Sequence, residues 1–257
     1  MTLQARLDLD PVARGAGAAG AADPVARLAA ADWPGLLAEL DAHGRAIVPR
    51  LFSPAECARW AAGYDHAAQF RSRVVMSRHG FGRGEYQYYA YPLPDPLPAL
   101  RALLYERLVP LAGQWRQRLK PGGAELPATH AEFLARCHEA GQRRPTALLL
   151  QYGAGDYNCL HQDLYGDLVF PLQMAVLLSA PGRDFEGGEF VMTEQRSGHP
   201  ACAEVMPLAQ GDALIFAVHD RPARGARGWQ RRTLRHGVAE LRRGTRHTLG
   251  VILHDAR

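Results

Sequence analysis

Two observations predict an α+β chain with a helical first half and a jelly-roll second half. Two N-capping boxes sit in the first 145 residues, Ser53-Pro54-Ala55-Glu56 and Thr129-x-x-Glu132. From Thr146 onward the chain breaks into short apolar runs separated by glycine and proline turns. Runs of that length at close spacing suit a sandwich or barrel, here a jelly roll.

The elements follow in order. Residues 1–26 include Gly15-Ala16-Gly17-Ala18-Ala19-Gly20, side chains too small to offset ordering entropy, so a flexible tail is expected. Residues 27–257 are expected to form one domain, with helical support over 27–145 and a jelly-roll core over 146–257. Trp33, Leu36, Leu37 and Leu40 fall at helical spacing, and Gly44 stands where a C-cap belongs. Arg45 to Leu51 reads as a strand. The Ser53 box opens a helix to about Tyr64, with Pro54 at its first position. Leu97 to Leu119 reads as a helix disturbed at Pro110, and the Thr129 box opens another through Glu139. The expected strands are Thr146–Tyr152, Leu172–Ser179, Gly188–Thr193, Ala203–Pro207, Ala213–Val218 and Thr245–His254.

Composition excludes several classes. No apolar run approaches the ~20 residues of a membrane-spanning helix. Cys57, Cys137, Cys159 and Cys202 form no C-x-x-C pair, so neither a zinc ribbon nor a thioredoxin motif is expected, and a reducing cytoplasm is the expected home. The N-terminus, with Asp8 and Asp10, lacks the apolar stretch of a signal peptide. Net charge is +4, and Lys120 is the only lysine among 30 basic residues. An arginine bias of that kind has a compositional explanation, so it points only weakly to nucleic acid. His130 and His138 stand eight apart on one helix, about 12 Å along its axis, too far to share a metal. Gly80-x-Gly82-x-Gly84 lacks the Gly-Lys-Ser/Thr of a phosphate-binding loop, and no Gly-x-Ser-x-Gly is present.

One constellation carries chemistry. In extended chain, residues two apart share a face, so His161 and Asp163 can converge on one ion. His236, 73 residues beyond Asp163, supplies a third ligand. Two histidines and a carboxylate with open positions are typical of non-haem Fe(II) oxygenases. Arg246 lies ten residues after His236, and Tyr152 nine before His161. Gly187-Gly188-Glu189 and Gly211-Asp212 fall between the ligands.

Taken in that order, these residues resemble the Fe(II)- and 2-oxoglutarate-dependent dioxygenases, in particular their prolyl-hydroxylase-like branch, over about Thr146 to Asp255. The resemblance implies a double-stranded β-helix, with Fe(II), 2-oxoglutarate and O2 as the reacting set and succinate and CO2 as products. It implies that His161, Asp163 and His236 bind iron, that Arg246 pairs with the distal carboxylate of 2-oxoglutarate, and that Tyr152 hydrogen-bonds to it. Arg246 would then balance the site: Fe²⁺, one aspartate and a dianion sum to −1. One departure from the pattern is the segment Asp220–Arg235, which leaves His219 in the near position as a rival to His236. The Gly244-x-Arg246 spacing favours His236.

A protein side chain such as proline is the first expectation for the substrate, with a methylated nucleobase as the alternative and a small molecule also open. A methylated base would be oxidatively demethylated with release of formaldehyde. A cupin-like binding protein without turnover is the rival from another class. Nine arginines between Arg221 and Arg246 read either as a basic rim for phosphates or as a solvated loop. Arg71 to Tyr91, glycine-rich and then aromatic, reads as a substrate lid or an ordinary loop and strand. His219, Arg78, Tyr86 and Arg231 are the candidate rim residues.

Overall fold

The computed structural model describes residues 23–257 apart from Gly123 and Arg227. Residues 1–22 of the expected tail lie outside the described residues. Its last part is not a tail: α1 (Pro24–Ala29) starts at Pro24, capped by Asp23, and buries Leu28. The helices that follow are α2 (Trp33–His43), α3 (Pro54–Ala62), α4 (Leu97–Leu119) and α5 (His130–Glu139). Both capping boxes form, Ser53 with Glu56 and Thr129 with Glu132. Gly44 caps α2 in the left-handed region at φ 72°, and α4 runs through Pro110 as one helix.

The strands are β1 (Arg45–Val48), β2 (Phe70–Val75), β3 (Gly82–Arg83), β4 (Glu85–Tyr89), β5 (Leu148–Tyr152), β6 (Tyr157–His161), β7 (Leu172–Leu177), β8 (Phe185–Gly187), β9 (Phe190–Arg196), β10 (Cys202–Met206), β11 (Ala213–Ala217), β12 (Asp220–Gly225), β13 (Gly228–Val238), β14 (Leu241–Gly244) and β15 (Arg246–Val251). β1 stops short of the expected Leu51 because Arg50 turns the chain at φ 51°, its N–H held by Asp212.

Two antiparallel sheets face each other. One runs β1-β11-β7-β15-β5-β4-β2, the other β10-β9-β13-β6-β3, with β12 paired to β13. From β5 onward the chain crosses repeatedly between them, with β8 and β14 paired as a separate two-stranded sheet, so that β11-β7-β15-β5 opposes β10-β9-β13-β6. That is the jelly roll, or double-stranded β-helix. The larger sheet is covered on both sides, which explains its near-continuous apolar strands. Along β5, Leu149 joins the main core with Leu100, Leu104 and Leu108 of α4, while Leu148, Leu150 and Tyr152 face the space between the sheets.

α4 is tied to the C-terminus by a buried ion pair. Arg101 donates to Asp255 at 2.9 Å and to the Ile252 carbonyl at 2.9 Å. The second Asp255 oxygen accepts from Tyr91 at 2.8 Å and faces His138 Nε2 at 2.9 Å. Among the described residues no helix is long and apolar enough to cross a membrane.

Candidate metal centre and co-substrate pocket

A cavity of about 180 Å³ opens between the two sheets. His161, Asp163 and His236 line it, with ligand atoms all within 4.8 Å of one another. Strand register brings them together. His161 is the last residue of β6, a strand not expected from the sequence, and His236 of β13 stands directly opposite it. Opposed residues of an antiparallel pair project to the same face, and the two rings lie 4.2 Å apart.

The donor chemistry fits Fe(II). His161 Nδ1 lies 2.7 Å from the Cys159 carbonyl, which only accepts, so Nδ1 carries the proton and Nε2 the lone pair. Burial, and then the nearby His236, push the His161 pKa down, which keeps the ring neutral as a ligand must be. His236 is stacked on Phe190 at 5.7 Å and edge-on to Phe216 at 4.8 Å, and its buried Nδ1 has no protein partner. Its Nε2 faces Asp163 at 3.3 Å. Burial works to raise the Asp163 pKa, but a hydrogen bond from His236, the neighbouring imidazoles and the Tyr165 hydroxyl hold the carboxyl well below the usual range. Asp163 is therefore anionic. Tyr165 donates to one of its oxygens at 2.6 Å and Gln173 to the other at 2.7 Å.

Arg246 stands on β15 in register with Tyr152 on β5, in the same cavity. It is 2% exposed. Its guanidinium donates to Thr248 at 2.7 Å and lies 5.6 Å from the Tyr152 ring and 5.8 Å from that of Phe185. Nε has no partner, and among the described residues no carboxylate lies within 4.0 Å of the group. Burial pushes its pKa down to about 10. A buried cation without a counter-ion is costly, and a ligand carboxylate would supply the missing charge. Gly188, at φ 62°, lets the chain pass over the stem of this arginine: a Cβ there would sit 2.2 Å from Leu241 Cδ1 and 3.2 Å from Arg246 Cδ.

The expected rim divides. Tyr86 lines the cavity. His219 does not: it follows β11 and pairs with Asp220 at 3.0 Å, away from the three ligands. Arg231 pairs with the same aspartate at 3.3 Å, and Arg78 is exposed on a loop beyond the cavity wall. The segment Asp220–Arg235 is a hairpin, β12 against β13, that extends the smaller sheet. Sequence reasoning missed Tyr165, Gln173, Asn158 and Thr248. Two of these carried a signal: Tyr165 and Thr248 stand two residues from Asp163 and Arg246, the same-face spacing of extended chain.

A family model described as an oxygenase "catalysing oxidative methylation of damaged DNA" matches residues 84–256. The chain belongs to this oxygenase family. An uncharacterized protein of Mycobacterium tuberculosis, found in two strains, is 46% identical to the oxygenase over 167 residues, 64% of this chain and 70% of that protein. Among solved structures, a Pseudomonas putida prolyl-4-hydroxylase is 14% identical with a TM-score of 0.49, covering 88% of this chain and 99% of its own. A Burkholderia pseudomallei oxidoreductase of the 2-oxoglutarate-Fe(II) oxygenase family is 18% identical with a TM-score of 0.49, covering 88% and 93%. The family match, the donor set of two histidines and an aspartate, and the buried arginine without a counter-ion mark the chain as an oxygenase with a candidate metal site.

Proposed function

We propose that His161 Nε2, Asp163 and His236 Nε2 hold the iron, that Arg246 holds the distal carboxylate of 2-oxoglutarate, and that the substrate is an alkylated base of damaged nucleic acid. The observation that carries the co-substrate assignment is Arg246, a buried cation with an unpartnered Nε in the same cavity as the donor triad. Its planar fork suits a carboxylate. Thr248 and Tyr152 fix its orientation. Asn158 donates to the Tyr152 hydroxyl at 3.4 Å, so one polar end of the cavity is pre-organised around a single anionic group.

When bound, iron with 2-oxoglutarate and O2 supplies the hydroxylating chemistry, converting the co-substrate to succinate and CO2. The chain does the positioning. Tyr165 and Gln173 orient the Asp163 carboxylate, Phe190 and Phe216 hold the His236 ring, and Leu148, Leu150 and Ile252 give the cavity an apolar wall. Hydroxylation of an N-methyl group gives a carbinol that releases formaldehyde and restores the base.

The nucleic-acid reading rests on the family description, which names damaged DNA. We include in the same proposal a single domain from residue 27, supported by one hydrophobic cluster joining Leu28 and Leu36 to Leu214 and Leu253. A reducing cytoplasm is also part of it, supported by four free cysteines, two of them exposed. The test is to incubate the Fe(II)-loaded protein with methylated oligonucleotides and with proline-containing peptides. Succinate and formaldehyde in equal amounts from the oligonucleotide are expected. Succinate stimulated only by peptides would move the substrate to a protein side chain. Absence of 2-oxoglutarate turnover with every substrate would leave a binding protein.

A further inference from the structure

The cavity mouth carries a surface that neither metal nor co-substrate uses. Phe81 lines the cavity and is 48% exposed. His79 stacks on it, ring centroids 5.4 Å apart and planes 22° from parallel. The loop that presents this pair is held firmly. Fully buried Met76 accepts at its carbonyl from the N–H groups of His79 and Phe81. The Phe81 carbonyl accepts from Cys159 at 2.9 Å, two residues before His161. Gly82, at φ 124°, lies so close to β6 that a Cβ would meet the Tyr157 carbonyl at 2.4 Å. Leu160 and Leu164, 47% and 48% exposed, flank the His161-Gln162-Asp163 segment. Exposed apolar groups gathered at a cavity mouth mark a binding surface.

The charges differ from those expected of the arginine-rich segment. Arg221 and Arg232 pair with Glu194, Arg231 with Asp220, Arg242 with Glu189 and Arg243 with Glu186. Arg224 lies over the Trp229 ring at 5.0 Å. Arg224 and Arg235 of the hairpin and Arg78 and Arg83 are all exposed with no carboxylate within 4.0 Å among the described residues, but only Arg78 and Arg83 flank Phe81, which lines the cavity.

We propose that the loop from Arg78 to Arg83 is the strand-binding surface of the enzyme: Phe81, backed by His79, stacks on a base at the cavity mouth, and Arg78 and Arg83 take phosphates of a single strand. This rests on the nucleic-acid reading of the site. An aromatic face accepts any base, and flanking cations track the backbone, which is the chemistry of single-strand recognition. The donor triad lies inside the cavity between the two sheets, so a paired base would have to leave its duplex before its methyl group could reach the metal position.

The test is fluorescence anisotropy of the full-length protein with a short labelled oligothymidylate, across a salt series. Phe81→Ala is expected to weaken binding about 5- to 150-fold, the range of one lost base stack, and Phe81→Trp to retain it. The double variant Arg78→Ala/Arg83→Ala should flatten the log–log salt slope by about 1.4, at ~0.7 per phosphate on a single strand. The hairpin pair Arg224→Ala/Arg235→Ala should leave the slope where it is. Wild-type binding by Phe81→Ala, a slope that moves only in the hairpin pair, or a duplex bound as tightly as the single strand would each overturn the proposal. Formaldehyde release from a methylated oligonucleotide separates the two levels. If wild type and Phe81→Ala release it equally, the loop assignment falls and the nucleic-acid reading stands. If wild type turns over only a peptide, both fall.

Discussion

Replacing Arg246 with methionine tests the co-substrate assignment in two opposite directions at once. In the ligand-free protein the guanidinium is buried without a carboxylate within 4.0 Å among the described residues, and burial, only partly offset by Tyr152 and Glu189, brings its pKa down to about 10. Relative to an exposed arginine, keeping it charged costs on the order of 3 kcal/mol. Arg246→Met removes that cost and keeps most of the packing against Tyr152 and Phe185, but strands the Thr248 hydroxyl, a loss of about 1 kcal/mol. The ligand-free variant should therefore be as stable as wild type or up to about 2 kcal/mol more stable, which for a chain of this size raises the melting temperature by about 4–8 °C at most. The effect on 2-oxoglutarate has the other sign. Losing one partner of a desolvated charge pair costs about 2–5 kcal/mol, or about 30- to several-thousand-fold in affinity. Thermal melts with Mn(II) in place of iron, under nitrogen, read both effects. Wild type should gain about 2.7 kcal/mol at a hundredfold excess of 2-oxoglutarate over its dissociation constant, and the variant no more than about 0.9 kcal/mol at the same concentration. A variant that melts lower than wild type without ligand yet is stabilised equally by 2-oxoglutarate would refute the reasoning, because Arg246 would then be a structural cation.

The other expectations concern the metal and the fold. His161→Ala, Asp163→Ala and His236→Ala should each abolish Fe(II) binding by anaerobic titration, since a facial site has only three protein ligands; His219→Ala should bind iron like wild type, and the reverse pattern would transfer the distal ligand to His219. Asp255→Ala should lower stability in urea by about 3–5 kcal/mol, because it leaves Arg101 charged and buried; a change under 1 kcal/mol would show that water replaces the carboxylate. Burial, then the charge of Arg101, bring the His130 pKa down to about 4, whereas the unfolded imidazole titrates near 6.5. The unfolded chain therefore takes up a proton that the folded one refuses. The stability this confers is complete above pH 6.5 and falls as pH drops toward 4, by about 3 kcal/mol over that interval. His130→Gln, which can still donate to the Leu253 carbonyl, should remove that part of the acid slope; an unchanged slope would assign it to other groups.

The elements that were legible in the sequence are those whose signal is local. Ser53 and Glu56, or Thr129 and Glu132, reach each other within one turn, and both boxes form. Strands β5, β7 and β11 are apolar because helices cover one face and the cavity or opposite sheet the other. β6 and β13 were missed for the complementary reason. Tyr157, Cys159 and Leu160 are exposed and β13 is rich in arginine, so neither shows an apolar alternation. The triad was legible by residue type and order, since neither depends on knowing the intervening path. Its supports were not: Gln173 reaches Asp163 from another strand. The arginine-rich segment reads two ways from the sequence because part of its counter-charge lies far from it in the chain. Glu194, which takes Arg221 and Arg232, lies on β9.

The pairing of His161 with His236 makes the site sensitive to insertions within β13 and indifferent to those at the hairpin turn. Side chains on a strand alternate, so one extra residue between Leu234 and His236 would turn the histidine to the outer face and empty the metal position. Residues added at the turn between Gly225 and Gly228 would instead lengthen both arms of the hairpin and leave His236 opposite His161. The 73 residues from Asp163 to His236 are therefore not a spacing the chemistry requires. The hairpin can grow, shrink or acquire a new tip while His161, Asp163 and His236 stay together, so the length of chain between them can vary without cost to the site.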